Sequence, residues 1–251
     1  MWKINKVLAA CITCAISINA FAVKVGPYDV RPVATFTGAY AIITPNGQSQ
    51  RYVFSDGSLF NLRANSSTQH EGLVGLFIGG EYQFQPQFAL QLGLGYYQPS
   101  PFTVTGTDIQ GVVNSPATFN SYAYNYTVNL RQLLVESKAL YTWNTRFHPY
   151  VSLGLGASFN NAYNYNVNNP PFLTFAPQYR KGNSNNFSYR VGLGVDVDAT
   201  DNLRFGIGYH YAGYGNVDLG SGQIDNISIP GTLKQSNLNV SEIVGEITLI
   251  M

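Results

Sequence analysis

Four segments of the chain place glycines at alternating positions within a strongly hydrophobic run. The segments are "LQLGLGYY" (90–97), "YVSLGLGASF" (150–159), "YRVGLGVDV" (189–197) and "LRFGIGYHY" (203–211). Their alternation has a period of two, which predicts β-strands with large apolar side chains on one face and glycine, serine and charged side chains on the other. A face of small and charged residues cannot form a dry core. The pattern therefore predicts strands whose apolar face points outward and whose polar face lines an interior.

Eight such segments occur, and the connections between them alternate in length. The predicted strands are 31–43, 71–84, 88–97, 128–143, 150–159, 187–198, 203–215 and 238–251. The short connections are 85–87, 144–149 and 199–202, and the long ones are 44–70, 98–127, 160–186 and 216–237. This layout is typical of an all-β, eight-stranded antiparallel up-and-down transmembrane β-barrel with short periplasmic turns and four long external loops. The long connections are rich in Asn, Ser, Gly and Pro, as in "NNAYNYNVNNPP" (160–171), so we expect exposed, irregular chain there.

Residues 1–22 have the pattern of a signal peptide. A short basic segment precedes an apolar stretch that ends in the small-x-small motif "AFA", which predicts cleavage after Ala22 and a barrel domain over 23–251. Cys11 and Cys14 lie in the signal peptide, so we expect no thiol for catalysis, metal binding or a disulfide in the mature chain. A lipoprotein cleavage site at "LAAC" is the alternative interpretation. No mature segment has the roughly 18 consecutive apolar residues of a membrane helix, which leaves a secreted protein or an outer-membrane barrel.

The same alternation directs ten ionisable side chains into the interior. They are Arg31, Glu81, Glu136, Lys138, Arg190, Asp196, Arg204, His210, Glu242 and Glu246. Both signs occur in similar number, and buried charges require partners, so we expect a network of ion pairs that plugs the lumen. An eight-stranded barrel is just wide enough for its interior side chains, and the paired glycines leave room for the long ones. An ion pathway and a catalytic pair are the alternatives for these charges.

Aromatic side chains stand at both ends of the predicted strands. Those beside the short turns are Tyr82, Phe84, Phe88, Tyr141 and Trp143. Those toward the long connections are Tyr40, Tyr96, Phe159, Tyr189, Tyr209 and Tyr211. Two aromatic belts on either side of an apolar band are typical of membrane barrels.

The run "YRVGLGVDVDATDNLRFGIGYHYAGYGNVDLG" (189–220) resembles the last hairpin of small outer-membrane β-barrel proteins, the OmpA-like and opacity-protein-like surface antigens. The resemblance implies a surface-exposed barrel in the Gram-negative outer membrane, inserted by the barrel-assembly machinery. It also implies a role in adhesion, envelope integrity or immune evasion. Members of this family usually end in Phe or Trp, whereas this chain ends at Met251. That difference bears on the assembly signal, and the last strand keeps its alternation.

Enzymatic motifs are weak. No Gly-x-Ser-x-Gly, His-Glu-x-x-His or phosphate-binding glycine loop occurs, and His210 with Glu242 is the one candidate constellation. Asp108, Asp218 and Asp225 lack the spacing of a calcium site. We therefore expect no enzyme, no cofactor and no metal. The formal net charge of +1, without a basic run, argues against a nucleic-acid partner.

Two functional classes remain for such a barrel. The first is a surface protein with a plugged polar lumen, whose external loops contact a host or surface ligand while lipid surrounds the barrel. The second is a small channel or carrier for small or apolar molecules. A barrel enzyme acting on lipid or peptide at the outer rim is a more remote alternative.

Overall fold

The structure is a computed structural model. It describes residues 23–25, 28–45, 49–168, 177–224, 227–229 and 231–251. The predicted signal peptide and Asp225 lie outside the described residues. No helix in the described part of the chain is long and apolar enough to cross a membrane.

The described residues form sixteen β-strands. Their bounds are β1 Val23–Val25, β2 Tyr28–Ile43, β3 Ser49–Val53, β4 Ser58–Ala64, β5 Gln69–Gln85, β6 Phe88–Pro99, β7 Phe102–Val112, β8 Ser115–Asn129, β9 Gln132–Tyr141, β10 Phe147–Val167, β11 Gln178–Tyr179, β12 Gly182–Thr200, β13 Leu203–Asp218, β14 Gly222–Ile224, β15 Ile227–Ile229 and β16 Lys234–Ile250. β11, β14 and β15 form a separate small sheet, and the other strands belong to one antiparallel sheet.

The pairings of the longer strands return to their starting point. In spatial order, β2 pairs with β5, then come β6, β9, β10, β12, β13 and β16, and β16 pairs with β2. Each of these pairings is antiparallel. The all-β antiparallel prediction is confirmed, and each of these strands has a neighbour on both edges.

Burial follows the predicted alternation along the strands. In β6, Leu92 and Leu94 are 57% and 58% exposed, whereas Gln91 and Tyr97 are buried. In β10, Val151 is exposed and Tyr150 is buried. Because the exposed face is the apolar one, this part of the molecule is suited to contact lipid rather than water.

In their described residues, the four long connections are mostly strand and not the irregular loops that their composition predicts. β3, β4, β7 and β8 extend the sheet: β8 pairs with residues 161–167 of β10 and with β7, β7 pairs with β4, and β4 pairs with β3. The run that begins at Asn160 continues β10 as far as Val167 and is not exposed loop, and its residues 169–171 lie outside the described part. We call β3, β4, β7 and β8 the extension. The predicted strand 128–143 is likewise wrong in its bounds, since β8 ends at Asn129 and β9 begins at Gln132.

The strands of the extension also alternate with a period of two, but here the apolar side chains point inward and the polar side chains point outward, and this allows them to pack. Phe102, Val104, Tyr124 and Tyr126 are buried, whereas the threonines and asparagines between them lie on the outer face. These buried side chains belong to one apolar cluster that also includes Leu62 of β4. A strand crosses a membrane in about 9–11 residues, and the 21 residues of β10 span about 70 Å at roughly 3.4 Å per residue. The extension therefore stands clear of the apolar band.

Candidate functional site

The part of the interior nearest the extension is organised around Arg190, which is 1% exposed. Its Nη2 and Nε donate to Oε2 of Glu242 at 2.9 and 3.1 Å. Its Nη1 lies 3.7 Å from Oε1 of Glu136, and the guanidinium carbon lies 3.8 Å from the centre of the Tyr97 ring. The Tyr97 hydroxyl donates to Glu136 at 2.7 Å. One cation therefore serves two carboxylates, and an aromatic face covers it.

Lys138 is the cation of the middle of the interior. Its Nζ lies 2.7 Å from Oε2 of Glu246 and 2.8 Å from Oδ2 of Asp196. The Tyr150 ring covers the same ammonium, with its centre 3.8 Å away. Lys138, Glu246 and Asp196 lie on β9, β16 and β12, no two of which pair with each other, so these contacts cross the interior.

The lower part of the interior, toward the short turns, centres on Glu81. Its Oε2 accepts from Nη1 of Arg204 at 2.8 Å and from Gln91 at 2.8 Å, and its Oε1 accepts from Arg31. The Arg31 side chain is 42% exposed, so this predicted interior charge lies at the open end. Arg204 also donates through Nε to Asp198 at 2.7 Å.

His148 is an interior residue that the sequence reasoning placed in a short turn. It lies in β10, its Nε2 is 2.6 Å from Oδ2 of Asp198, and its Nδ1 is 3.1 Å from the Thr142 hydroxyl. The alternation along the strand could have predicted this, because His148 stands two positions before Tyr150 and so shares its inward face. These groups border a cavity of about 420 Å³ at this end of the interior.

The candidate pair of His210 and Glu242 does not form a dyad. The two residues are opposite each other in the register of β13 and β16. Among the described residues, however, the hydrogen-bond partner of His210 is the Tyr150 hydroxyl at 3.3 Å, and Nδ1 has no partner. Glu242 is bound to Arg190. The described residues also hold no cluster of three or more His, Cys, Asp or Glu that could bind a metal.

Glycines make room for the interior rings, as their positions in the strands predict. A methyl group added at Gly194 would lie 2.7 Å from the Tyr150 hydroxyl oxygen and closer still to the carbonyl oxygen of Ile207. A methyl group at Gly192 would collide with the ring of His210. Since backbone and packed rings cannot give way easily, an interior with these large side chains requires glycine at these positions.

The interior is filled along its middle. The cavity among Thr35, Gln91, Tyr97, Lys138 and Glu246 has a volume of about 10 Å³. That is near the minimum that holds one water molecule. A continuous aqueous path through this level would require the ion pairs to separate.

The extension contains a buried carboxyl group, Asp108 of β7, which is fully buried. Its Oδ2 accepts from Gln110 at 2.7 Å, and it has no cation within ion-pair distance among the described residues. Burial raises the pKa of Asp108 from 3.8 to about 6, and the Gln110 hydrogen bond opposes this rise without cancelling it. Tyr124 and Tyr165 lie near enough to interact with its charge.

The comparisons with known proteins agree with this architecture. The sequence model of the family described as "Outer membrane protein beta-barrel domain" matches residues 8–241. No curated protein matches the chain by sequence. Among solved structures, the outer membrane protease OmpT from Escherichia coli is similar, with a TM-score of 0.51, 11% identity, and coverage of 94% of this chain and 99% of OmpT.

Two smaller similarities concern other outer-membrane proteins. Ail, the attachment invasion locus protein of Yersinia pestis, has a TM-score of 0.41 and 10% identity, with coverage of 88% of this chain and 99% of Ail. OprG from Pseudomonas aeruginosa has a TM-score of 0.43 and 12% identity, with coverage of 87% of this chain and 95% of OprG.

Proposed function

The chain belongs to the outer membrane protein β-barrel family, and from this we propose that it forms an eight-stranded transmembrane barrel with a plugged lumen, acting as a surface protein through its extension. The eight strands of this proposal are β2, β5, β6, β9, β10, β12, β13 and β16, whose successive pairings support it. In the proposed orientation the short turns face the periplasm and the extension stands outside the Gram-negative cell, as in barrels with short periplasmic turns. The extension is then the part that meets a host or surface ligand and contributes to adhesion or envelope integrity.

The paired interior carries this proposal. Each predicted interior charge contacts another interior side chain, and the middle cavity has room for about one water molecule. Such an interior favours a rigid anchor over a conducting pore. The same contacts support a non-enzymatic role, because His210 and Glu242 are engaged with Tyr150 and Arg190 and not with each other.

Planar-bilayer recording tests the plugged lumen. We expect no steady open-channel current from the purified, refolded chain. The Arg190→Ala variant serves as a comparison, because it removes both volume and charge from the plug and should conduct better. A steady current from the unmodified protein at the level of a wide pore would favour the channel alternative.

Shortening the extension tests the surface role. Because Tyr97 of β6 opposes Gln132 of β9, a short turn can replace residues 101–130 without breaking that hairpin. Bacteria expressing the shortened protein should retain the barrel and lose adherence to cultured epithelial cells. Unchanged adherence, with equal amounts of barrel in the outer membrane, would contradict a role for β7 and β8 in attachment.

A further inference from the structure

The outer surface of the barrel carries an arginine without a carboxylate partner at the boundary between the apolar band and the extension. Arg131 precedes β9 and is opposite Phe159 of β10, whose backbone N–H donates to the Arg131 carbonyl at 2.8 Å. Phe159 is 39% exposed, and Leu133, two residues further along β9, is 46% exposed. Arg131 therefore lies on the lipid-facing side of the sheet, one step beyond the last exposed apolar row.

Amide side chains form a row directly above this position. Asn161 is opposite Asn129 of β8 on one side and Asn183 of β12 on the other, so all three share the outward face. Nη2 of Arg131 donates to Oδ1 of Asn161, and Nδ2 of Asn161 donates to Oδ1 of Asn183 at 2.7 Å. Lys181, two residues before Asn183, is exposed. We call Arg131, Asn129, Asn161 and Asn183 the rim cluster.

The rim cluster differs from the interior charges in having no negative partner. The interior cations Arg190, Arg204 and Lys138 each bind two carboxylates. Within the described residues, no carboxylate lies within ion-pair distance of Arg131 or Lys181. A charge at the edge of a bilayer is stabilised by an opposite charge, and lipid phosphates lie at that depth.

We infer that the rim cluster binds the phosphate of an outer-leaflet glycolipid headgroup. Nη2 of Arg131 gives one hydrogen to Asn161 and Nε is buried, so Nη1 and the second Nη2 hydrogen are the donors left for phosphate oxygens. Nδ2 of Asn161 already donates to Asn183 and to the Asn160 carbonyl, so the amide of the exposed Asn183 is the neutral donor beside it. The acyl chains of the same lipid would lie against Phe159 and Leu133. This inference rests on the proposed function, because the orientation in the membrane decides which leaflet meets the cluster.

Lipid binding in detergent micelles tests the inference independently of orientation. The probes are lipid A with both phosphates, lipid A with both phosphates removed, and inorganic phosphate, each followed by native mass spectrometry. We expect the refolded chain to retain bisphosphorylated lipid A about tenfold better than the dephosphorylated form. Arg131→Gln should lose most of that preference, whereas Arg63→Gln, on the outer face of the extension, should change retention less than twofold.

Equal retention of the two forms of lipid A, or an unchanged preference in Arg131→Gln, would overturn the inference. Competition by millimolar inorganic phosphate as effective as that by lipid A would show a free-anion site and would also overturn it. If Arg131→Gln does not fold, Asn183→Ala carries the test with an expected loss of about threefold, and no loss would contradict the site. Failure of the plugged-lumen proposal would appear as bilayer current and would leave these binding results unchanged.

Discussion

At the scale of single residues, the interior depends on exact pairing of side chains that cannot be replaced one at a time. Arg190 is bound to Glu242, approaches Glu136 and packs on Tyr97. Removing it leaves two carboxylates without their cation in a site that water barely enters. Removing one partner of such a group is costly because the remaining charge stays buried.

We expect Arg190→Ala to lower the free energy of unfolding by about 3–5 kcal/mol. Arg63→Ala is the matched control, because Arg63 is exposed on β4 and has no carboxylate partner among the described residues. The measurement is urea titration of each refolded variant in detergent. Similar midpoints for the two variants would show that the interior charges are not held by their pairing.

Two glycines within the barrel strands have different surroundings. Gly194 has the Tyr150 ring and a backbone carbonyl beside it, whereas an added methyl group at Gly38 of β2 would meet nothing within 4 Å. Gly194→Ala should therefore destabilise the barrel by about 1–3 kcal/mol. Gly38→Ala should be neutral or slightly stabilising, because alanine loses less conformational freedom on folding. Equal urea midpoints for the two variants would contradict the account of the glycines as room for interior rings.

At the scale of elements, the extension is stabilised by an apolar cluster that includes a buried carboxyl group. Asp108 binds its proton more tightly in the folded chain, because its pKa is about 6 there and 3.8 ordinarily. Stability from this group is therefore fully present below pH 3.8 and is lost as the pH rises through 6. The strands around Asp108 should be most firmly held under mildly acidic conditions.

We expect the free energy that protects the amides of β7 and β8 to fall by about 1–2 kcal/mol between pH 5 and pH 7.5. Hydrogen–deuterium exchange, corrected for the intrinsic effect of pH, measures it. Asp108→Asn should remove the dependence. Asp56→Asn should leave it intact, since hydrogen bonds from Ser58 lower the pKa of the exposed Asp56 and keep it ionised throughout. Persistence of the slope in Asp108→Asn would assign the effect to another group.

At the scale of the whole molecule, the two ends of the barrel differ in construction. One end has short turns, such as the one at Asp201 between β12 and β13, and the other carries the extension, with an exposed turn at Asn114 between β7 and β8. This asymmetry underlies the proposed orientation, with the extension outside the cell.

Single-cysteine labelling checks the orientation, because Cys11 and Cys14 fall in the predicted signal peptide. Asn114→Cys should react with a membrane-impermeant maleimide on intact cells. Asp201→Cys should react only after the outer membrane is opened. Labelling of Asp201→Cys alone on intact cells would reverse the orientation and place the rim cluster at the inner leaflet.

The alternation alone is enough to locate the barrel strands, apart from the bounds of 128–143, and to assign the face of each that points inward, because a period of two separates apolar from small and charged side chains without reference to any other segment. The partners of the interior charges follow only from the three-dimensional arrangement of the strands. Lys138 meets Glu246, and Arg204 meets Glu81, across the interior between strands that are not neighbours. These contacts depend on the register of all the intervening strands, and no local sequence pattern specifies that register. The sequence does not predict the extension for a related reason. Its outer face, rich in Asn and Thr, has the composition of a loop. Its tyrosines form a core only when β7 pairs with β8 and β8 pairs with β10.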